Sequence, residues 1–313
     1  MDVRLRIPCK TFLIGEYAVL EGGPCLGAAT APHFEMTFSR SDNGAKSYTP
    51  SFHPDSPAGK FSAAHARLFE NLKVQFFDPL DSRGGFGAST AQYLGLWAYR
   101  EMMAGSMSWN EVLQPLKIKA MVHEYRTYAT SSEGRSPSGA DLVFQLVGGL
   151  CWMDSATWEI QKMKWPWVNS VGYFISTGNK LSTHLHLQQL GDFNSTELFR
   201  ILQKSRLALK TTDLLQWLES LHEYSQALDL LGLVSPETSL LLKAIRDWPG
   251  VQAAKGCGAL GADVIFCVVK TDHDEDFQLA LKTHQLKLIA STQTMSAGVE
   301  IHPLEIRLRQ ELS

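Results

Sequence analysis

The chain is 313 residues long, 44% apolar and 19% charged, a globular composition with length enough for two domains or one large one. Its formal net charge of −3 offers no electrostatic case for nucleic acid or an anionic membrane, and no apolar run approaches the roughly 20 residues that span a bilayer. Met1-Asp2-Val3-Arg4-Leu5-Arg6 has no apolar stretch ahead of a cleavage site, and the five scattered cysteines (Cys9, Cys25, Cys151, Cys257, Cys267) contain no CxxC pair. Both features point to reduced thiols in a cytoplasmic protein, not to a disulfide frame or a zinc site.

Val3, Leu5 and Ile7 alternate with Arg4 and Arg6, and the apolar run resumes at Thr11-Phe12-Leu13-Ile14, so residues 3–14 predict a strand. Lys10 interrupts that pattern, and Glu16 lies just past its end in Gly15-Glu16-Tyr17-Ala18-Val19-Leu20-Glu21. Strand ends often carry sites where helices cover a sheet, while a solvated loop charge is the plainer reading of both residues. Residues 27–40 predict one or two further strands, 41–60 a polar loop, and Ala63–Phe77 a helix.

Gly84-Gly85-Phe86-Gly87-Ala88-Ser89-Thr90-Ala91 comes next and runs into a helix ending near Met103. Glycines let backbone approach a ligand closely, and the first helical turn offers unpaired N–H groups with partial positive charge. Phosphate suits such a place, although a turn and cap for a core helix would use the same residues. A second helix is expected over Ser108–Thr127. Strands first and helices after make this half α+β, with helices on one face of a sheet.

A polar stretch, residues 131–140, leads to Asp141 and the apolar Leu142–Val147. Ser138 or Asp141 could cap a helix here, or Asp141 could be a proton acceptor beside an apolar wall. Residues 150–168 read as a hairpin and Val171–Ile175 as a strand, followed by a hydroxyl-rich loop that carries Lys180 and Thr183. His184 and His186 read as a solvated face, since no third metal ligand accompanies them. Helices are expected over 195–231 and Pro236–Trp248. Gly256-Cys257-Gly258-Ala259-Leu260-Gly261 fits GxGxxG, but a dinucleotide site needs a strand before it and a helix after it. The reverse order is expected here, with a strand over 262–269, then a helix near 273–287 and a closing strand at Gly298-Val299-Glu300-Ile301.

Together these stretches resemble the GHMP kinase family, which includes galactokinase and homoserine, mevalonate and phosphomevalonate kinases. Pro8-Cys9-Lys10 through Gly15–Glu21 is similar to the family's opening segment, and Gly85-Phe86-Gly87-Ala88-Ser89-Thr90-Ala91 to its phosphate loop. Gly258–Asp263 resembles its C-terminal glycine turn, Pro137-Ser138-Gly139-Ala140-Asp141 the mevalonate kinase segment that carries the base, and Thr177-Gly178 with Ser182-Thr183 the stretch facing the acceptor. The resemblance implies an α+β GHMP kinase fold, with a domain like ribosomal protein S5 domain 2 over residues 1–168 and a ferredoxin-like domain over 169–313. It implies ATP-dependent phosphoryl transfer with Mg²⁺ to a small anionic acceptor, mevalonate or phosphomevalonate. A sugar or sugar-phosphate kinase, and a silent nucleotide-binding member, stay open; a small-molecule partner is implied and a homodimer is compatible.

By the same resemblance Asp141 is the base and Lys10 offsets developing charge, while Gly85, Gly87, Ala88, Ser89 and Thr90 hold the triphosphate. Ser89 and Glu133 would hold Mg²⁺, and Glu16, Tyr17, Ser138, Lys180, Thr183, Gly258 and Gly261 would line the acceptor. The chain departs from the family pattern at Cys9, Ala88 and Leu260, and the family's metal-binding glutamate has Glu133 as its nearest counterpart, with Glu124 a poorer one.

Overall fold

The computed structural model describes residues 2–40, 52–81, 83–105, 109–130, 135–178 and 190–303. The first half runs β1 (Val3–Ile14), β2 (Pro24–Arg40), α1 (Pro57–Ala64), α2 (Ala66–Phe69), β3 (Leu72–Phe77), α3 (Ala88–Ala104), α4 (Trp109–Val112), α5 (Pro115–Ala129), α6 (Ala140–Val147), β4 (Leu150–Asp154) and β5 (Ile160–Met163). The second half runs β6 (Ser170–Ser176), α7 (Thr196–Thr211), α8 (Leu214–Leu230), α9 (Pro236–Arg246), β7 (Val251–Cys257), β8 (Val264–Lys270), α10 (Asp274–Thr283), β9 (Lys287–Ser291) and β10 (Glu300–Pro303).

All strand pairings in the two sheets are antiparallel. The first sheet has the order β10-β1-β2-β4-β5, with β3 also on β2; the second is β7-β8-β6-β9. In the second, β6 and β7 are linked through helices, β8 follows β7 directly, and α10 leads to β9, which is the ferredoxin-like arrangement. The sheets part between β5 and β6, but β10 returns to the first one, pairing Val3 with Pro303 and Arg6 with Glu300. Trp165 and Trp167 of the connecting segment pack on Trp217 of α8, with ring centroids 5.5 and 4.6 Å apart.

β1 positions the site. Val3, Leu5 and Ile7 are buried in alternation with Arg4 and Arg6, but from Pro8 to Ile14 every residue is buried. The change follows from its neighbours, because α3 and α6 of the first half and β7 of the second all pack on this strand. Lys10 is therefore carried inside, at 7% exposure.

Several elements differ from expectation. Leu72–Phe77 is a strand, not the end of a helix: Asn71 has φ +65°, which stops the preceding turn, and exposed Lys73, Gln75 and Phe77 alternate with covered Leu72, Val74 and Phe76. The helix expected over 108–127 is two helices, broken ahead of Pro115, which stands in the first turn of α5. Residues 195–231 likewise form two helices, and 273–287 ends in β9 after Gln285 at φ +55°. A strand, β7, does lead into Gly256–Gly261. The dinucleotide reading still fails, because a single 3-10 turn (Ala259–Gly261) and then β8 follow where a helix is required. Among the described residues no helix is long and apolar enough to cross a membrane.

Candidate active site

Lys10 enters the site from β1, and its ammonium meets Asp141 Oδ2 at 2.9 Å. Asp141 stands in the first turn of α6, where the positive end of a helix favours a carboxylate. It does not cap the helix; the cap position is Gly139, with no side-chain cap bond. Ser138 Oγ accepts the Ala140 N–H at 3.3 Å, and Arg126 of α5 donates to the carbonyls of Pro137 and Ser138 at 3.1 and 2.8 Å. These bonds hold the turn that delivers Asp141. Its other oxygen, Oδ1, is buried and has no partner among the described residues. A carboxylate oxygen left in that state is one that a ligand hydroxyl would satisfy.

The Gly84–Gly87 turn is tied to β1, because the Lys10 N–H donates to the Phe86 carbonyl at 3.0 Å, and the Phe86 side chain is buried. Gly87 has φ +90°, and a Cβ there would lie 2.8 Å from Lys10 Cγ and 2.9 Å from Gln145 Nε2. Only glycine admits the lysine stem so close to the loop. The first intrahelical bond of α3 runs from the Ala91 N–H to Gly87 O at 2.9 Å, so the N–H groups of Ala88, Ser89 and Thr90 precede any helical acceptor. With the helix dipole they make a seat for an anion, one residue beyond the lysine contact. The Thr90 hydroxyl is turned inward, onto Gln145 Oε1 at 2.8 Å, so Thr90 offers its amide and not its side chain.

The C-terminal glycine turn meets this loop through Asp263, which is 3% exposed. A Cβ on Gly85 would come 2.6 Å from Asp263 Cβ, and one on Gly258 2.6 Å from Asp263 Oδ2. Gly261 closes the same turn against Gly256, its N–H bonding Gly258 O at 3.1 Å. Thr177 joins from the end of β6, donating through its hydroxyl to the Ala262 carbonyl.

Glu16 and Tyr17, expected to line the acceptor, make bonds within the protein here, and Glu16 is not a solvated loop charge. Glu16 Oε1 pairs with the ammonium of Lys255 on β7, with side chains 6% and 1% exposed, while its Oε2 is buried without a partner among the described residues. Burial opposes the charge on Lys255, but Cys257 and Glu16 beside it more than offset that and raise its pKa. The Tyr17 hydroxyl accepts the Leu260 N–H at 3.0 Å, and burial raises its phenol pKa. Both residues bind the first motif to the third because β7 lies against β1.

Glu124, the poorer metal candidate, is taken by Arg100 at 2.5 and 2.8 Å. Glu133, Lys180, Thr183, His184 and His186 lie outside the described residues. Among those described, no three His, Cys, Asp or Glu side chains group as a metal cage. The exposed Ser89 beside the anion seat fits instead a Mg²⁺ that takes most of its ligands from phosphate and water. Gln145 and Lys255 were not singled out from sequence. For Gln145 the available signal was a lone amide inside the apolar run Leu142–Val147, four residues after Asp141.

No family model matches the sequence, and no curated protein does. Solved structures do. Phosphomevalonate kinase of Streptococcus pneumoniae, in complex with phosphomevalonate and AMPPNP, is similar at TM-score 0.71 and 17% identity, over 93% of this chain and 99% of that one. Mevalonate kinase of L. major, in complex with R-mevalonate, is similar at 0.67 and 16%, over 91% and 94%. Homoserine kinase of Cytophaga hutchinsonii is similar at 0.66 and 13%, over 96% and 97%. The likeness is one of fold, and the fold is that of the GHMP kinases.

Proposed function

We propose that the chain transfers a phosphoryl group from ATP to a small anionic acceptor, mevalonate or phosphomevalonate. The observation that carries this reading is the Lys10–Asp141 pair, 2.9 Å between charged atoms, held against a loop that leads directly into three helix amides with no acceptor among the described residues. Phosphoryl transfer needs positioning and charge neutralisation more than covalent help, and that is what these groups supply. The amides of Ala88, Ser89 and Thr90 bind the phosphate tail. Lys10 faces the charge that develops during transfer, and Asp141 takes or orients the acceptor proton through its free oxygen. Mg²⁺, held through Ser89 and the phosphates, would add charge neutralisation. Asp141 favours a hydroxyl acceptor, since a phosphate acceptor is already ionised and needs no base.

An ADP-release screen against mevalonate, phosphomevalonate, homoserine, sugars and sugar phosphates tests the reading. Turnover is expected with mevalonate or phosphomevalonate. Tight ATP binding with no turnover on any acceptor would instead describe a silent member, and turnover confined to a sugar would reassign the acceptor.

A further inference from the structure

We propose that Gln145 is a positioning residue that sets the phosphate loop at its working distance from the Lys10–Asp141 pair. This rests on the phosphoryl-transfer reading for its purpose and on separate geometry for its support. Gln145 follows Asp141 by four residues in α6, so the two side chains share a helix face. Its side chain has 0% exposure on a helix where Leu142, Val143, Phe144 and Leu146 are buried too, and a buried amide is unfavourable unless its polar atoms are partnered.

Nε2 donates to the Pro8 carbonyl at 2.9 Å and lies 3.1 Å from the Gly87 carbonyl, and Oε1 accepts the Thr90 hydroxyl at 2.8 Å. One buried amide therefore fastens β1 two residues before Lys10, the last glycine of the loop, and the first turn of α3. One helical turn earlier, Asp141 fastens Lys10 itself. The Gly87 carbonyl also accepts the Ala91 N–H, so its direction sets that of the first turn and of the amides of Ala88, Ser89 and Thr90. An apolar side chain of the same length would fill the space and remove these three ties, leaving the Lys10 N–H to Phe86 carbonyl bond to hold the loop to β1.

Gln145→Met keeps length and volume and removes the three bonds. The expected result is a rise in the ATP KM and Kd of about 10-fold or more with the acceptor KM unchanged, because a small displacement of positioning groups weakens the alignment they provide. Amide hydrogen exchange over residues 84–91 should also quicken in the ligand-free protein, with the second sheet unaffected. Gln145→Glu is the second variant, for use also if the first fails to fold. Protonated, its carboxyl can still donate to a carbonyl and accept from Thr90; ionised, it turns negative oxygens toward carbonyl oxygens. ATP binding by this variant should hold at low pH and fall as pH rises, with no matching step in the parent protein.

Wild-type ATP KM and unchanged exchange over 84–91 in Gln145→Met would overturn the proposal. So would faster exchange spread evenly through the molecule with both KM values unmoved, which is a structural role only. If the parent protein binds no ATP, the phosphoryl-transfer reading falls, and the exchange measurement alone decides whether Gln145 holds the loop.

Discussion

Replacing Asp141 with asparagine keeps the side chain's size and removes its charge and basicity. The ammonium and carboxylate lie 2.9 Å apart with side chains 9% and 28% exposed, and at an effective dielectric near 20 their gross attraction is about 6 kcal/mol. Desolvation of Lys10 offsets most of that. The carboxylate is partly wet, so the stability lost in Asp141→Asn falls below the roughly 3–5 kcal/mol of a fully buried pair, at about 1–3 kcal/mol. Catalysis loses more. A positioned base contributes about 10²–10⁴-fold, or about 2.7–5.5 kcal/mol of barrier, to transfer onto a hydroxyl. Transfer onto an ionised phosphate should slow by less than about 10-fold, because no proton has to be taken. ATP affinity should hardly change, since the amides of α3 do not involve Asp141. Coupled ADP release over a range of ATP concentrations, run for both acceptors beside urea unfolding, reads all four quantities. Wild-type kcat on a hydroxyl acceptor in a folded Asp141→Asn protein would remove this residue from the mechanism.

Other substitutions test other links. Gly87→Ala should strain the loop and press on Lys10 and Gln145, lowering stability by about 1–3 kcal/mol and ATP affinity with it; calorimetric titration giving the parent Kd would show that the loop does not bind phosphate. Lys255→Met should destabilise by about 3–5 kcal/mol by stranding the Glu16 carboxylate, and adding Glu16→Gln should restore part of the loss; equal losses in single and double variants would contradict a coupled pair. All five cysteines are buried, and burial pushes Cys257 up to about 11 and Cys151 up to about 12. A thiol reagent at pH 8 should therefore find none of them in the native protein and all five after unfolding, and rapid labelling of the folded chain would be inconsistent with this packing.

The parts of the site that sequence made visible are local ones. Glycines and hydroxyls next to an apolar helix announce Gly84–Ala91 without help from the rest of the chain, β1 alternates from Val3 to Ile7, and β8 is a β-branched apolar run. Weakly patterned strands were lost. Val251–Cys257 holds two alanines, a glycine and a buried lysine, so β-branching says little, and its identity comes from pairing with β8. Leu72–Phe77 alternates, but it follows two short helices so closely that the helical period dominates. Glu16 shows a different limit. Nothing near it in sequence reveals a partner 239 residues away, because the ion pair depends on how two sheets meet. Gln145 has the same cause, with contacts set by tertiary packing of α6 on β1 and α3.

The most direct test of the central claim is a crystal structure with a non-hydrolysable ATP analogue and Mg²⁺. The account predicts phosphate oxygens on the amides of Ala88, Ser89 and Thr90, with the terminal phosphate facing Lys10 and Asp141. A nucleotide seated elsewhere, or a terminal phosphate turned away from that pair, would contradict it.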